Sequence, residues 1–214
     1  MKVTIINYGL SNLLSISRAV HNLGHEPLVT SSALDVASAD IVILPGVGAF
    51  KDGMDGLSSL GLVGPIRDRA GEGCLILAIC LGMQMLFEES DEFGVHEGLG
   101  LIPGRVERIP GFNVNGERQR VPHVSWNGLY PPRGHDDFSS PILRGVKPGD
   151  EAYFIHSFEA KPASGERPAA ITYYGGRRLC AVADGGSVFG TQFHPEKSGA
   201  VGLNILSNFL SLRS

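Results

Sequence analysis

The 214-residue sequence contains few cysteines, few aromatic residues and no long apolar run. Its three cysteines, Cys74, Cys80 and Cys180, are an odd number without the paired spacing of a metal site. A disulfide framework is therefore not expected, and the reducing cytoplasm is the expected compartment. No stretch approaches the roughly 18 apolar residues that a membrane-spanning helix requires. The N-terminal residues also lack the apolar core and cleavage site of a signal peptide.

Basic stretches are missing as well. The net charge is −4, which gives no footprint for binding a phosphate backbone, so nucleic acid is not an expected partner. Hydrophobic residues make up 43% of the chain, enough for a full core. Because no repeat, low-complexity tract or linker interrupts the sequence, we expect a single domain over residues 1–214.

The periodicity of apolar residues predicts an α/β fold. In the first half, short apolar strands alternate with helical patterns, which is typical of a parallel sheet covered on both faces. Those strands are expected at 3–7, 27–31, 41–45 and 74–80. In the second half, shorter segments separated by Gly- and Pro-containing turns predict antiparallel additions. Those segments lie at 105–109, 151–160, 169–174, 179–184 and 188–194, and a final helix is expected over 201–212.

Cys80 ends the apolar strand "CLILAIC", and the helical pattern "LGMQMLFEES" follows directly. A cysteine at a strand-to-helix turn is exposed to the helix dipole and resembles a nucleophile elbow, in which small residues stand two positions before and after the nucleophile. Here those positions hold Ala78 and Gly82. A cysteine that only packs in the core is compatible with the same turn, and for Cys74 and Cys180, inside apolar runs, packing is the expected role.

A base for Cys80 must come from elsewhere in the chain, which has seven histidines. His123 and His156 lie in strand-like runs and are compatible with hydrogen-bonded core histidines. His194 differs, because Glu196 stands two residues later and Pro195 favours an extended backbone at His194. A carboxylate placed there could orient the imidazole, so we expect a Cys80–His194–Glu196 triad.

An acyl-transfer site also needs N–H donors for an oxyanion. The amide of Leu81, directly after Cys80, is one candidate. The segment "PGVGAF" (45–50) follows the third predicted strand, and its glycines permit a backbone that aims an N–H into the site. An ordinary strand-to-helix turn would have the same composition.

Seven motifs, in this order, resemble class I, triad-type glutamine amidotransferases over nearly the whole chain. The resemblance implies a flavodoxin-like three-layer fold and hydrolysis of L-glutamine through a cysteinyl thioester, with no cofactor and no metal. The motifs are "NYGLSNLLSI" (7–16), "LPGVGAF" (44–50), "ICLGMQMLFEES" (79–90), "GLGLIPGRV" (98–106), "VPHVSWN" (121–127), "YFIHSF" (153–158) and "FHPEKSG" (193–199).

The resemblance also assigns roles to individual residues. Cys80 is implied as nucleophile, His194 as base and acid, and Glu196 as the group that orients His194. Val47, Gly48 and Leu81 are implied in the oxyanion hole, and Gln84, Glu92 and Ser157 in glutamine binding. The implied partner is a (β/α)8-barrel cyclase subunit that forms a heterodimer with an ammonia tunnel. That cyclase makes imidazole glycerol phosphate and AICAR in histidine biosynthesis.

The residues that the resemblance places against the partner are Asn12, Trp126, Asn127, Tyr153 and Lys197. For Trp126, burial in the core is an equally valid expectation from sequence. The sequence departs from the family pattern near this face, with Asn7 and Ser11 for Asp and Gly, and Ser125 for Gly. An alternative is therefore a related glutaminase that supplies ammonia for amino sugars of surface polysaccharides. A silent binding module or a Cys peptidase is disfavoured by the intact triad and by Gln84.

Overall fold

The computed structural model describes residues 2–163 and 168–213. The strands in these residues are β1 (Val3–Ile6), β2 (Pro27–Thr30), β3 (Ile41–Gly46), β4 (Leu75–Cys80), β5 (Glu89–Ser90), β6 (His96–Glu97), β7 (Gly104–Arg108), β8 (His123–Gly128), β9 (Glu151–His156), β10 (Phe158–Pro162), β11 (Ala170–Tyr174), β12 (Arg177–Asp184) and β13 (Val188–Thr191). The α-helices are α1 (Leu13–Asn22), α2 (Ala33–Ala37), α3 (Phe50–Ser59), α4 (Val63–Gly71), α5 (Leu81–Met85) and α6 (Gly199–Leu210). Short 3₁₀ turns lie at Pro141–Leu143, Pro195–Lys197 and Ser211–Arg213.

Among the described residues, the largest sheet has seven strands in the order β11-β12-β13-β4-β3-β1-β2. Strands β2, β1, β3, β4 and β13 are parallel, and β12 and β11 continue the sheet antiparallel. Every residue of β1, β3 and β4 is buried, as expected for central strands covered on both faces. The predicted mostly parallel sheet with antiparallel additions is confirmed.

Two hydrophobic clusters lie on opposite faces of this sheet. One contains Ile16 of α1 and Phe209 of α6, packed on the inward side chains of the central strands. The other contains Leu57 of α3 and Ile66 of α4 on the other face. The alternation of side chains along each strand sends neighbouring residues into different clusters, which produces a three-layer arrangement.

Two predicted strands are interrupted in the structure. The strand expected over 151–160 divides at Ser157, because β9 pairs with β8 whereas β10 pairs with β7 in another sheet. The strand expected to reach His194 ends at Thr191, and the chain then enters the 3₁₀ turn Pro195–Lys197.

Substitution of Gly202 tests how tightly α6 packs on the turn that carries His194. A Cβ at Gly202 would lie 2.0 Å from the carbonyl oxygen of Pro195, and backbone cannot move aside as a flexible side chain can. Gly202→Ala should therefore reduce the free energy of unfolding by about 1–3 kcal/mol, measured by denaturant titration.

Gly64→Ala is the matched control, because Gly64 is helical and a Cβ there meets nothing within 4 Å. It should leave stability unchanged or raise it by up to ~1 kcal/mol. A Gly202→Ala protein as stable as the Gly64→Ala protein would contradict the close contact.

Candidate active site

The carboxyl ends of three parallel strands meet at one edge of the sheet. Gly46 at the end of β3 pairs with Cys80 at the end of β4, and Thr191 at the end of β13 pairs with Ile79. The residues that follow these strands are thereby brought side by side. Ligands of open α/β sheets bind at this edge.

Cys80 has an unusual backbone conformation, with φ 55° and ψ −109°. Non-glycine residues at such angles are strained and occur mainly where the surrounding structure holds them for function. Helix α5 begins at the next residue, Leu81, so the Cys80 side chain stands at the helix N-terminus. Gly82 makes the turn possible, because a Cβ there would lie 2.0 Å from the carbonyl oxygen of Leu44.

His194 and Glu196 form a buried pair. Nδ1 of His194 lies 2.9 Å from Oε1 of Glu196, and both side chains are almost completely inaccessible to solvent. The pairing arises from the 3₁₀ turn Pro195–Lys197 rather than from a continuing strand, although His194 itself is extended. Because Nδ1 faces the carboxylate, the other ring nitrogen, Nε2, is left for Cys80.

The pKa of His194 reflects competing influences. Burial by itself lowers the pKa, but the side-chain hydrogen bonds and negative charges of Cys80 and Glu196 outweigh it and raise the pKa to about 9. The imidazolium form is therefore stabilised at neutral pH. A cysteine thiolate beside an imidazolium is the reactive form of a Cys–His pair.

A cavity of about 250 Å³ opens beside Cys80. Apart from Glu196, which lies behind His194, all the residues that sequence analysis assigned to catalysis, the oxyanion hole and substrate binding line it. Its lining residues are Val47, Gly48, Cys80, Leu81, Gln84, Glu92, Pro122, Ile155, His156, Ser157, Phe158 and His194.

The three residues assigned to substrate binding contribute different groups. The Gln84 amide is held in place, with Nε2 3.0 Å from the Phe158 carbonyl oxygen and 3.0 Å from Oε1 of Gln192. Glu92 accepts a 2.7 Å hydrogen bond from the N–H of Phe50, and burial raises the pKa of its carboxyl group. Ser157 lies where β9 passes into β10 and lines the cavity, and its carbonyl oxygen accepts from the N–H of Ile109 at 2.9 Å.

The segment assigned to the oxyanion hole lies at the cavity rim. Gly48 has φ 102°, which a side chain would oppose. The N–H of Leu81 is at the first position of α5, where no intrahelical acceptor is available. The N–H of Val47 instead donates to the carbonyl oxygen of Leu10 at 2.9 Å, so it does not point to a substrate in this structure.

The residues assigned to the partner face lie outside the cavity lining. Trp126 is 50% exposed, and its ring lies 6.0 Å from the ring of Tyr153, its register partner across the β8–β9 ladder. Asn12 and Lys197 are exposed, at the start of α1 and beside the triad turn. Asn127 is half-buried and donates from Nδ2 to the Tyr173 carbonyl at 2.7 Å.

Gln192 was missed by sequence reasoning. Its Nε2 lies 3.8 Å from Sγ of Cys80, and its Oε1 accepts from Gln84. It therefore links the substrate-site amide to the sulfur. The sequence feature that could have identified Gln192 is its position two residues before His194 in "TQFHPE", close to the strand end.

Within residues 2–163 and 168–213, no group of His, Cys, Asp and Glu side chains could hold a metal ion. No helix in that part of the chain is long and apolar enough to cross a bilayer.

An elbow cysteine, a carboxylate-oriented histidine and a small cavity beside them define a triad-type site with a cysteine nucleophile. Residues 4–212 match the family model described as glutamine amidotransferase class-I. The chain belongs to this family of glutamine amidotransferases, which are enzymes.

Curated relatives of known name indicate a more specific likeness within this family. The chain is 43% identical over 210 residues to imidazole glycerol phosphate synthase subunit HisH 1 of Legionella pneumophila (strain Lens), covering 98% of this chain and 99% of that protein. It is 45% identical over 208 residues to the HisH subunit of Syntrophotalea carbinolica, covering 97% and 98% of the two chains.

Solved structures agree on the fold. A crystal structure of a glutamine amidotransferase superposes with a TM-score of 0.71 at 20% identity, covering 97% of this chain and 96% of that one. The structure of PurLQS from Thermotoga maritima gives a TM-score of 0.69 at 20% identity, covering 98% and 97%. At this identity the likeness establishes the fold alone.

The raised pKa of His194 can be tested by removing its neighbours. In Cys80→Ala or Glu196→Gln, one negative partner is lost while burial remains, so the His194 titration midpoint should fall below about 9. Imidazole NMR titration measures this directly, with Cys180→Ala as a control that should leave the midpoint unchanged. A midpoint that stays near 9 without the Cys80 sulfur would refute this account of the site.

The same shift has a consequence for stability. Because the folded-state pKa is raised above the ordinary 6.5, the contribution to stability is complete below pH 6.5 and is lost as pH rises through about 9. His194→Gln should remove this component, so the difference in unfolding free energy between wild type and variant should shrink between those pH values.

Proposed function

We propose that the chain hydrolyses L-glutamine to glutamate and ammonia, with Cys80, His194 and Glu196 as its catalytic residues. The observation that carries the proposal is Cys80, held at a positive φ on the cavity wall and interacting with a His194 that is paired to a buried carboxylate. These are the nucleophile, base and orienting group of triad chemistry.

In the proposed reaction, Sγ of Cys80 attacks the side-chain carboxamide carbon of glutamine. The carbonyl electrons move to oxygen, where the N–H of Leu81 stabilises the charge, joined by the 47–48 segment once the Val47 N–H is released from Leu10. His194 gives a proton to the departing nitrogen, which leaves as ammonia, and a γ-glutamyl thioester remains. His194 then takes a proton from water, whose oxygen attacks the thioester. Glutamate and the Cys80 thiolate are released, and the protonated His194 beside the thiolate restores the starting pair.

The proposed substrate contacts follow from the cavity lining. Glu92 is a carboxylate that could pair with the α-ammonium group of glutamine, and the Ser157 backbone could bind the α-carboxylate end. Gln84 supports the same wall through its bond to the Phe158 carbonyl.

We infer further that the chain is the glutaminase subunit of an imidazole glycerol phosphate synthase in histidine biosynthesis. It would form a heterodimer with a (β/α)8-barrel cyclase subunit, and the ammonia would pass to it through a tunnel. The names of the relatives support this pathway, and they do not favour the alternative of amino-sugar synthesis. The half-exposed Trp126 and the exposed Lys197 are available for such a partner. The three buried cysteines are not joined by a disulfide, which supports a cytoplasmic location.

Cys80→Ala should lower glutamine-dependent synthase activity of the complex by at least about 10⁴-fold, because the nucleophile is lost. Activity with added ammonium salt should remain, because the cyclase no longer needs the glutaminase. Steady-state product formation with each nitrogen source measures both.

Cys180→Ala is the matched control, since burial raises the pKa of the Cys180 thiol far above its usual range and the residue lies inside β12. It should keep glutamine-dependent turnover. Retention of that turnover in Cys80→Ala would overturn the proposed mechanism.

The isolated chain should be a poor glutaminase. The Val47 N–H is bonded to Leu10, and one missing oxyanion donor costs roughly 10²–10³ in kcat. Addition of the cyclase with its nucleotide ligand should raise kcat by about that factor, measured as glutamate release. Full activity of the isolated chain would show that the hole is complete without a partner.

A further inference from the structure

Two buried histidines outside the triad face each other across the β8–β9 ladder. His123 is fully buried and His156 is 6% exposed, and they are register partners. Nδ1 of His123 lies 3.0 Å from Nε2 of His156. The proposed hydrolysis uses neither ring, although His156 lines the cavity.

The hydrogen bonds of this pair determine where each proton sits. Nδ1 of His156 is 2.7 Å from the carbonyl oxygen of Phe158, which can only accept, so Nδ1 carries the proton. Nε2 of His156 therefore accepts, and Nδ1 of His123 must donate to it. Burial lowers the pKa of both rings, that of His156 to about 3, so each is neutral at physiological pH with a single N–H.

The neutral His123 then needs a donor at Nε2. The hydroxyl of Ser125 lies 2.8 Å away and can supply it. Oδ1 of Asn127 is 3.2 Å from the same nitrogen, but an amide oxygen can only accept a hydrogen bond. The orientation of this amide is set by Nδ2, which donates to the Tyr173 carbonyl. Ser125 also makes a very short contact with Oδ1 of Asn127, so the nitrogen and the amide oxygen compete for one hydroxyl proton.

This series of hydrogen bonds ends, on the cavity side, at the Phe158 carbonyl, which belongs to the cavity wall. The Phe158 carbonyl that His156 holds also accepts from Gln84 at 3.0 Å. Ser157 lies between His156 and Phe158 in the sequence, at the point where the backbone changes from one sheet to another. The carbonyl of Ile155, one residue before His156, is 3.8 Å from Sγ of Cys80. Loss of the histidine bond would leave this wall free to shift beside the nucleophile.

At its other end, the series of hydrogen bonds reaches Ser125 and Asn127 in the proposed partner face. Ser125 and Asn127 flank the half-exposed Trp126 on β8. From His123 inward the donors run in one direction, through His156 to the Phe158 carbonyl, and the Ser125 hydroxyl contacts the outer nitrogen of His123.

We propose that His123 and His156 are positioning residues for the glutamine site, and that the Ser125 hydroxyl, beside Nε2 of His123, connects them to the partner-facing strand. The inference rests on the proposed function, because it concerns how that site holds glutamine. The expected signature is a change in KM for glutamine with little change in kcat, since neither histidine reacts with substrate.

The two properties of His123 can be separated by a pair of variants in the complex with the cyclase. His123→Asn keeps an N–H donor near the position of Nδ1 but loses the ring. His123→Phe keeps a ring able to stack between Tyr174 and Phe154, whose centroids lie 4.1 and 5.3 Å away, but loses the donor. If the hydrogen bond matters, the Phe variant should raise KM for glutamine about tenfold and the Asn variant about threefold or less.

A structural role predicts the opposite order, because loss of stacking would then dominate and the Asn variant would be the worse one. Thermal unfolding of both variants records that packing cost separately. Activity with ammonium salt should be unchanged in both. Equal KM values for the two variants, or a higher KM for the Asn variant, would overturn the inference.

Ser125 provides a second test that does not disturb the core. Ser125→Ala removes the hydroxyl and should raise KM for glutamine about threefold, whereas Ser125→Thr retains it and should restore the wild-type value. If His123→Phe fails to fold, the two Ser125 variants alone test the inference. Identical KM values for the Ala and Thr variants would refute it. A wild-type complex without Cys80-dependent glutamine turnover would instead refute the proposed function itself.

Discussion

The approach of Gly82 to the carbonyl oxygen of Leu44 is the contact on which the site depends. It lets α5 start directly at the end of β4, where Cys80 makes the turn with a positive φ. The strain at Cys80 is maintained by the packing of fully buried strands around it. A side chain at position 82 would separate α5 from β3 and remove the nucleophile from the cavity.

The histidines show how neighbours determine what one residue type does. His194 and His156 are both buried at the same cavity, and burial alone would keep both neutral. The negative partners of His194 raise its pKa despite burial. The pKa of His156 falls because burial, together with the neighbouring His123, outweighs its hydrogen bond to the Phe158 carbonyl. One ring is thereby suited to exchange protons with Cys80. The other is suited to hold a fixed hydrogen bond to the cavity wall.

Elements with strong local signals were predictable. The buried strands that form β1, β3 and β4 are continuous apolar runs, and the step from "CLILAIC" to a helix indicated Cys80. The prediction for 151–160 was incomplete because both halves are good strand sequences. Their separation at Ser157 depends on pairing with β8 and β7, which lie far away in sequence. No local pattern reports such a change of sheet.

The sequence by itself predicted the class of fold, the candidate triad and the residues assigned to the oxyanion hole and substrate binding, because these follow from apolar periodicity and from motifs that resemble a family. Only the tertiary structure decided how those residues meet. It placed Gln192 against the Cys80 sulfur, engaged the Val47 N–H with Leu10, and joined His123 to His156. These contacts depend on distances between segments that are remote along the chain, and hydrogen bonds are sensitive to angstrom-scale placement that sequence periodicity does not encode.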